Sequence, residues 1–161
     1  MIIIAPYARG IRESEREQHL KGTPHPKNYP YWREVIDGLD DPVIQIGVEG
    51  EDKLTEDFRK NLPLVELAEL VKKCVTWISV DSFFPHFCWD LGKPGIALFG
   101  KSDPNIFGHP ENINLFVDRK RFRENQFWMW EQIKFDETDF VKPNVVLKTL
   151  KEKFNVNIRK T

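Results

Sequence analysis

Cysteine is scarce in this chain. Cys74 and Cys88 are the only two in 161 residues, and they follow no metal-ligand spacing. That excludes a thiolate metal centre and makes both residues small core side chains of a reducing, cytoplasmic compartment by default. The four histidines, His19, His25, His86 and His109, form no H-x-x-x-H pair, so neither a metal nor another cofactor is expected. No apolar run approaches the roughly 20 residues of a membrane span. Met1-Ile2-Ile3-Ile4-Ala5 is too short for a signal sequence and lacks a basic flank; it reads as a strand beginning at once. An excess of one charge is missing too: 24 Lys and Arg against 25 Asp and Glu leave a net charge of −1. Nucleic acid and anionic membrane therefore have no electrostatic case as bulk partners, and the run Arg119-Lys120-Arg121-Phe122-Arg123 reads as solvated surface. No internal repeat or low-complexity tract stands out.

What is present suits one domain over residues 1–161: 40% apolar and 30% charged residues, enough for a full core. Short apolar strands are expected at Ile2 to Ala5, Val43 to Gly47, Val75 to Val80, Ile96 to Phe99 and Ile113 to Val117. Helices are expected from Pro30 to Leu39, Leu64 to Lys73, Phe83 to Leu91, near Glu124 to Ile133, and near Asn144 to Phe154. Glu49 to Arg59 reads as loop and short helix, and Trp128 and Trp130 as packing against the sheet, with stacking on a ligand as the alternative. Continuous apolar strands alternating with helices predict an α/β fold with one Rossmann-like, doubly wound parallel sheet covered on both faces. Such sheets bind ligands beyond the carboxyl ends of their strands. That directs attention to the loops Pro6 to Lys27, Val48 to Asp52, Asp81 to His86 and Gly100 to His109.

Several residues in these loops have chemistry to offer, each with a plainer alternative. Asp81 and Ser82 follow a strand and precede a helix; they can cap that helix, or its free N–H groups can hold a phosphate. His86, one turn in, is either a packing residue or a hydrogen-bond donor to a diphosphate. Gly100-Lys101-Ser102-Asp103-Pro104 can clamp a nucleotide or simply turn the chain, and it lacks the Walker glycine spacing. Lys27, just before a helix start, is a phosphate-binding point charge or an exposed lysine. Glu49, just past the second strand, is an acceptor for ribose hydroxyls or a surface carboxylate.

In order, these pieces resemble the C-terminal half of glycosyltransferase family 9, the ADP-heptose:lipopolysaccharide heptosyltransferases. The family pattern is a leucine-rich helix, an apolar strand, Asp-Ser/Thr-Gly-x-x-His, Leu-Gly-x-Pro, a strand ending Phe-Gly, and a Ser/Thr-Asp-Pro turn. This chain has Leu64 to Val71, Trp77 to Val80, Asp81-Ser82-Phe83-Phe84-Pro85-His86, Leu91-Gly92-Lys93-Pro94, Ala97 to Gly100, and Ser102-Asp103-Pro104. Lys27-Asn28-Tyr29-Pro30 is similar to the family's Lys-x-Trp-Pro. The likeness runs from about Met1 to Phe116.

The resemblance implies the C-terminal domain of a GT-B glycosyltransferase. Lys27, Asp81, Ser82 and His86 would line the donor phosphate and sugar, with Thr23 on the same loop. Glu49 would approach the ribose and Leu62 would pack near the base. The ligand would be a nucleotide or nucleotide-sugar. Three departures accompany it, one of them a loop between the first strand and Lys27 much longer than the family's. Phe83 stands where the family has glycine, and a side chain there narrows the approach of a phosphate to the backbone. The acceptor domain that carries the family's general base is not expected in these residues, so transfer would need a partner subunit or a homodimer. A non-catalytic nucleotide-sugar module and an interaction protein on a relict fold are the alternatives.

Overall fold

Ile2–Ala5 is apolar and buried at every position and forms β1, an inner strand of a six-stranded sheet. The computed structural model describes residues 1–8, 24–128 and 130–159. The other strands are β2 (Val43–Gly47), β3 (Asp57–Lys60), β4 (Thr76–Val80), β5 (Ile96–Leu98) and β6 (Ile113–Leu115). Their order across the sheet is β3-β2-β1-β4-β5-β6, and every neighbouring pair is parallel. The α/β doubly wound fold is therefore as expected.

Alternation along the inner strands builds two cores. Ile2, Ile4, Ile78, Val80, Ile96 and Leu98 face one way, onto α1 (Trp32–Asp37) and the C-terminal helix. Ile3, Ala5, Trp77, Ala97 and Phe99 face the other, onto α2 (Leu64–Lys73) and α3 (Phe83–Asp90). A period of two on strands buried on both faces explains why the sequence shows unbroken apolar runs there. A four-residue α4 (Pro104–Phe107) follows β5, and α5 (Pro143–Phe154) closes the first face. Gly92 ends α3 in the left-handed region, at φ +66°, where a side chain would be strained. Among the described residues no helix is long and apolar enough to cross a membrane.

Two expectations fail. The stretch read as loop and short helix contains β3, whose Asp-Phe-Arg-Lys sequence carries no apolar alternation. It is a largely exposed edge strand held by backbone pairing with β2, and its charges suit an edge. The helix expected near Glu124 to Ile133 is absent. The chain from Phe116 to Lys142 is instead an irregular strap with three-residue 3-10 turns at Arg119–Arg121, Trp130–Gln132 and Glu137–Asp139. Side chains hold it in place of a helical ladder. Gln126, itself buried, accepts from the Asp103 amide at 2.9 Å and donates to the Lys101 carbonyl at 3.1 Å.

Candidate functional site

The strand order creates the site. The chain runs outward from β1 to β2 and β3, then returns to lay β4 on the other side of β1. At that reversal the connections leaving β1 and β4 diverge and leave a crevice at the strands' carboxyl ends. A cleft of about 940 Å³ opens there, within the range of small-molecule sites, roughly 300–1,000 Å³. Lys27, Leu62, Asp81, Ser82 and His86 all line it.

Lys27 and Asp81 meet across the reversal. Lys27 belongs to the connection after β1 and Asp81 directly follows β4. Their side chains, 15% and 5% exposed, form an ion pair of 2.6 Å. The Lys27 ammonium also lies 4.4 Å from the Trp130 ring centroid and 4.9 Å from that of Phe107. Aromatic faces are negative and attract a partly desolvated cation. The local turn is built to hold this lysine. Buried His25 accepts from the Lys27 amide through Nδ1 at 3.2 Å, and its carbonyl accepts from the Asn28 amide at 2.8 Å. The Asn28 side chain in turn accepts from the Ala8 amide at 2.8 Å, tying both ends of the β1 connection together.

Ser82 caps α3, accepting from the Phe84 amide at 3.4 Å. Pro85, next in that turn, has no N–H. The helix start therefore keeps few donors for an anion, and among the described residues the cationic side chains lining the cleft are Lys27, paired with Asp81, and Arg59, paired with Asp57. Phe83 points outward, 59% exposed, and lines the cleft.

His86 is exposed, and its Nδ1 lies 2.7 Å from His109 Nε2. His109 stacks on Trp89, with centroids 4.4 Å apart and planes 10° from parallel, and its carbonyl accepts from the Asn114 side chain at 3.0 Å. Burial and the neighbouring His86 push the His109 pKa below its ordinary value, partly opposed by Glu111. The short contact needs one N–H and one lone pair, so a second proton breaks it. Because His109 titrates low in the folded chain, the stability it contributes is full above the ordinary histidine pKa and is lost as pH falls toward the folded value. An imidazole NMR titration should place His109 below 6.5, the ordinary value, and His86→Ala should move it upward. An unmoved His109 would show that His86 is not the cause.

At the β2 end Glu51 lines the cleft and accepts from the Val48 amide at 3.1 Å. Its carboxylate folds over Gly47, where a Cβ would lie only 2.0 Å from Oε2, so the glycine is needed for this close approach. Glu49 lies on the same turn, and its carboxylate pairs with Lys60 at 3.0 Å. Leu62 follows Asn61, whose left-handed backbone, φ +53°, turns the chain from β3 toward α2. Tyr7, also lining the cleft, has its pKa pushed up to about 12 by burial and then by Asp52 and Glu51, so its hydroxyl stays a neutral donor. Thr23 lies outside the described residues. Trp128 does not pack on the sheet as expected: it is 68% exposed and lines the cleft with Trp130. Among the described residues no group of three or more His, Cys, Asp and Glu is placed to hold a metal.

Sequence reasoning did not single out His25, Glu51, Phe107 or Trp130 as parts of this cleft. The prolines flanking His25 were the one local signal of a built turn.

A family model described as glycosyltransferase family 9 (heptosyltransferase) matches residues 59–122. The fold is similar to that of the dodecameric iron-containing heptosyltransferase TibC, solved in complex with ADP-D-β-D-heptose. That match has a TM-score of 0.56 and 21% identity over 86% of this chain and 36% of that one. This chain thus spans about a third of the length of the heptosyltransferase it matches. No curated protein matches the sequence. Residues 59–122 therefore carry the sequence pattern of glycosyltransferase family 9, set in the fold of a heptosyltransferase.

Proposed function

We propose that the cleft binds a nucleotide-sugar through its diphosphate and that the chain is the donor-binding part of a glycosyltransferase. The observation that carries this reading is the Lys27–Asp81 ion pair at the reversal of the sheet, beside the start of α3. A shielded ammonium there would meet a diphosphate lying at the start of α3. In transfer, the bond from the anomeric carbon to the diphosphate oxygen breaks as the acceptor oxygen bonds to that carbon. The leaving diphosphate gains negative charge, which Lys27 would stabilise. His86 would donate to a phosphate oxygen through the ring nitrogen not facing His109, Leu62 would pack near the base, and Glu49 or Glu51 would reach the ribose. The acceptor site and the base that takes the acceptor's proton would come from a second domain, a partner subunit or a second copy. TibC is dodecameric and was solved with ADP-D-β-D-heptose, which makes an ADP-sugar a sensible first probe.

Phe83 favours a second reading, binding without transfer. It stands at the sequence position where the resembling family has the glycine that lets backbone approach phosphate, and its side chain lines the cleft.

Calorimetry with ADP, UDP and GDP tests the site. One of them should bind the wild type, and Lys27→Ala should weaken it by about 1–3 kcal/mol, the worth of a charge-assisted phosphate contact. Equal affinity in the variant removes Lys27 from the site, and absence of binding by all three and by their sugar conjugates rejects the donor reading.

A further inference from the structure

The side of the cleft walled by α4, the start of α3 and the strap after β6 carries aromatic rings that the phosphate site does not use. Phe127 and Trp128 are 65% and 68% exposed, and Phe83 is 59% exposed; all three line the cleft. Singly exposed aromatics need no explanation, but three in one concave site form an apolar surface awaiting a ligand. The strap presenting Phe127 and Trp128 is anchored on both sides of them. Gln126 is fastened to the loop after β5, the Arg123 amide donates to the Lys101 carbonyl at 2.8 Å, and the Trp130 indole donates to the Gln126 carbonyl at 3.0 Å. Both rings lie outside the family-matched residues 59–122.

The occupant follows from what adjoins the rings. Phe127 meets Phe107 edge-on at 5.8 Å, and Phe107 lies 4.9 Å from the Lys27 ammonium. The shelf thus begins one ring away from the cation assigned to the diphosphate. The opposite end of the cleft, with Gly47, Glu51 and Leu62, lies over β2 and β3. From β2 to β5 is three strand spacings, about 14 Å. That is a span for a nucleoside, a diphosphate and the group joined to its far phosphate. In a nucleotide-sugar that group is a sugar, whose C–H-bearing face carries partial positive charge and stacks on the negative face of an aromatic ring.

We propose that Phe127 and Trp128, with Phe83, form a stacking shelf for the pyranose ring of the donor and select sugar-bearing nucleotides over bare nucleoside diphosphates. This deepens the donor-site reading above and rests on it. The test is calorimetry with ADP, UDP and GDP, each paired with its sugar conjugates: ADP-glucose, ADP-D-β-D-heptose, UDP-glucose and GDP-mannose. The full chain is used as wild type, Trp128→Ala and Trp128→Phe. Trp128 is exposed, so neither substitution threatens the fold, and thermal unfolding checks this. In the wild type a sugar conjugate should bind about three- to tenfold tighter than its own diphosphate. Trp128→Ala should lose that gain and Trp128→Phe should keep most of it. If diphosphates bind the wild type but no conjugate binds tighter, or Trp128→Ala keeps the gain, the shelf is wrong while the phosphate site stands. If no diphosphate or conjugate binds the wild type, the donor reading fails and the shelf fails with it.

Discussion

Lys101→Met should lower the stability of the chain by about 3 kcal/mol, measured as a fall in the urea midpoint with an unchanged slope. Lys101 follows β5, and its ammonium lies 2.9 Å from Asp139 Oδ2, on a carboxylate only 2% exposed. Arg121 reaches the other oxygen at 3.4 Å, but its side chain is 45% exposed. No hydrogen bond to Oδ2 accompanies the lysine among the described residues. Removing Lys101 therefore strands a buried charge, which costs far more than losing a surface bridge. The remaining contact to Arg121 keeps the cost at the low end of the usual range of roughly 3–5 kcal/mol. Arg121→Met, by contrast, should cost under about 1 kcal/mol, because a half-exposed cation gains little from its partner. Lys101→Met combined with Asp139→Leu should recover most of the loss, since an apolar side chain has no charge to strand. Equal losses for Lys101→Met and Arg121→Met would show that the lysine is no more than a surface partner. The loop carrying Lys101 is also the one Gln126 grips, so the same variant should loosen the strap that carries Phe127 and Trp128.

Most of the sheet was legible because its inner strands are buried on both faces, and unbroken apolar runs such as Ile2 to Ala5 have no competing reading. α2 was legible to the residue because Leu67 and Val71 recur at helical spacing on one buried face. Placing the site at the carboxyl ends of parallel strands followed from the same pattern. What escaped was everything held by contacts distant in sequence. β3 is defined by its backbone ladder to β2, and its charged side chains say nothing of that. The strap looked helical because its aromatics are dense, yet it is fastened by the Gln126 side chain and the Arg123 amide to backbone groups more than 20 residues away. Asp81 could be marked as interesting, but its pairing with Lys27 follows from β4 lying beside β1, which no local spacing reveals. His109 was marked only as the end of a candidate loop: its closeness to His86 depends on the turn before β6 lying against α3.

Lys27→Ala should do two separable things, and a second substitution divides them. It should destabilise the chain by about 3–5 kcal/mol, because the Asp81 carboxylate, 5% exposed, loses its ammonium partner. No hydrogen bond to Asp81 Oδ2 stands in for the lysine among the described residues. Independently, it should raise the Kd for the nucleoside diphosphate that binds the wild type by roughly 5- to 150-fold, through loss of the contact to phosphate. Adding Asp81→Asn removes the stranded charge and leaves an amide that costs much less to bury. Lys27→Ala/Asp81→Asn should therefore regain much of the stability and little of the affinity. Urea unfolding and calorimetry on the wild type, Lys27→Ala, Asp81→Asn and the double variant give both cycles, with strong coupling expected for folding. Should the double variant regain both stability and binding, Lys27 would act on the ligand only by holding the fold in shape. Should it regain neither, the Asp81 charge would not be what the lysine neutralises. The expected split, with stability restored and binding lost, leaves one reading of the pair. Asp81 holds the ammonium at the crevice while the site is empty, and the same ammonium serves an incoming diphosphate without the fold needing to rearrange.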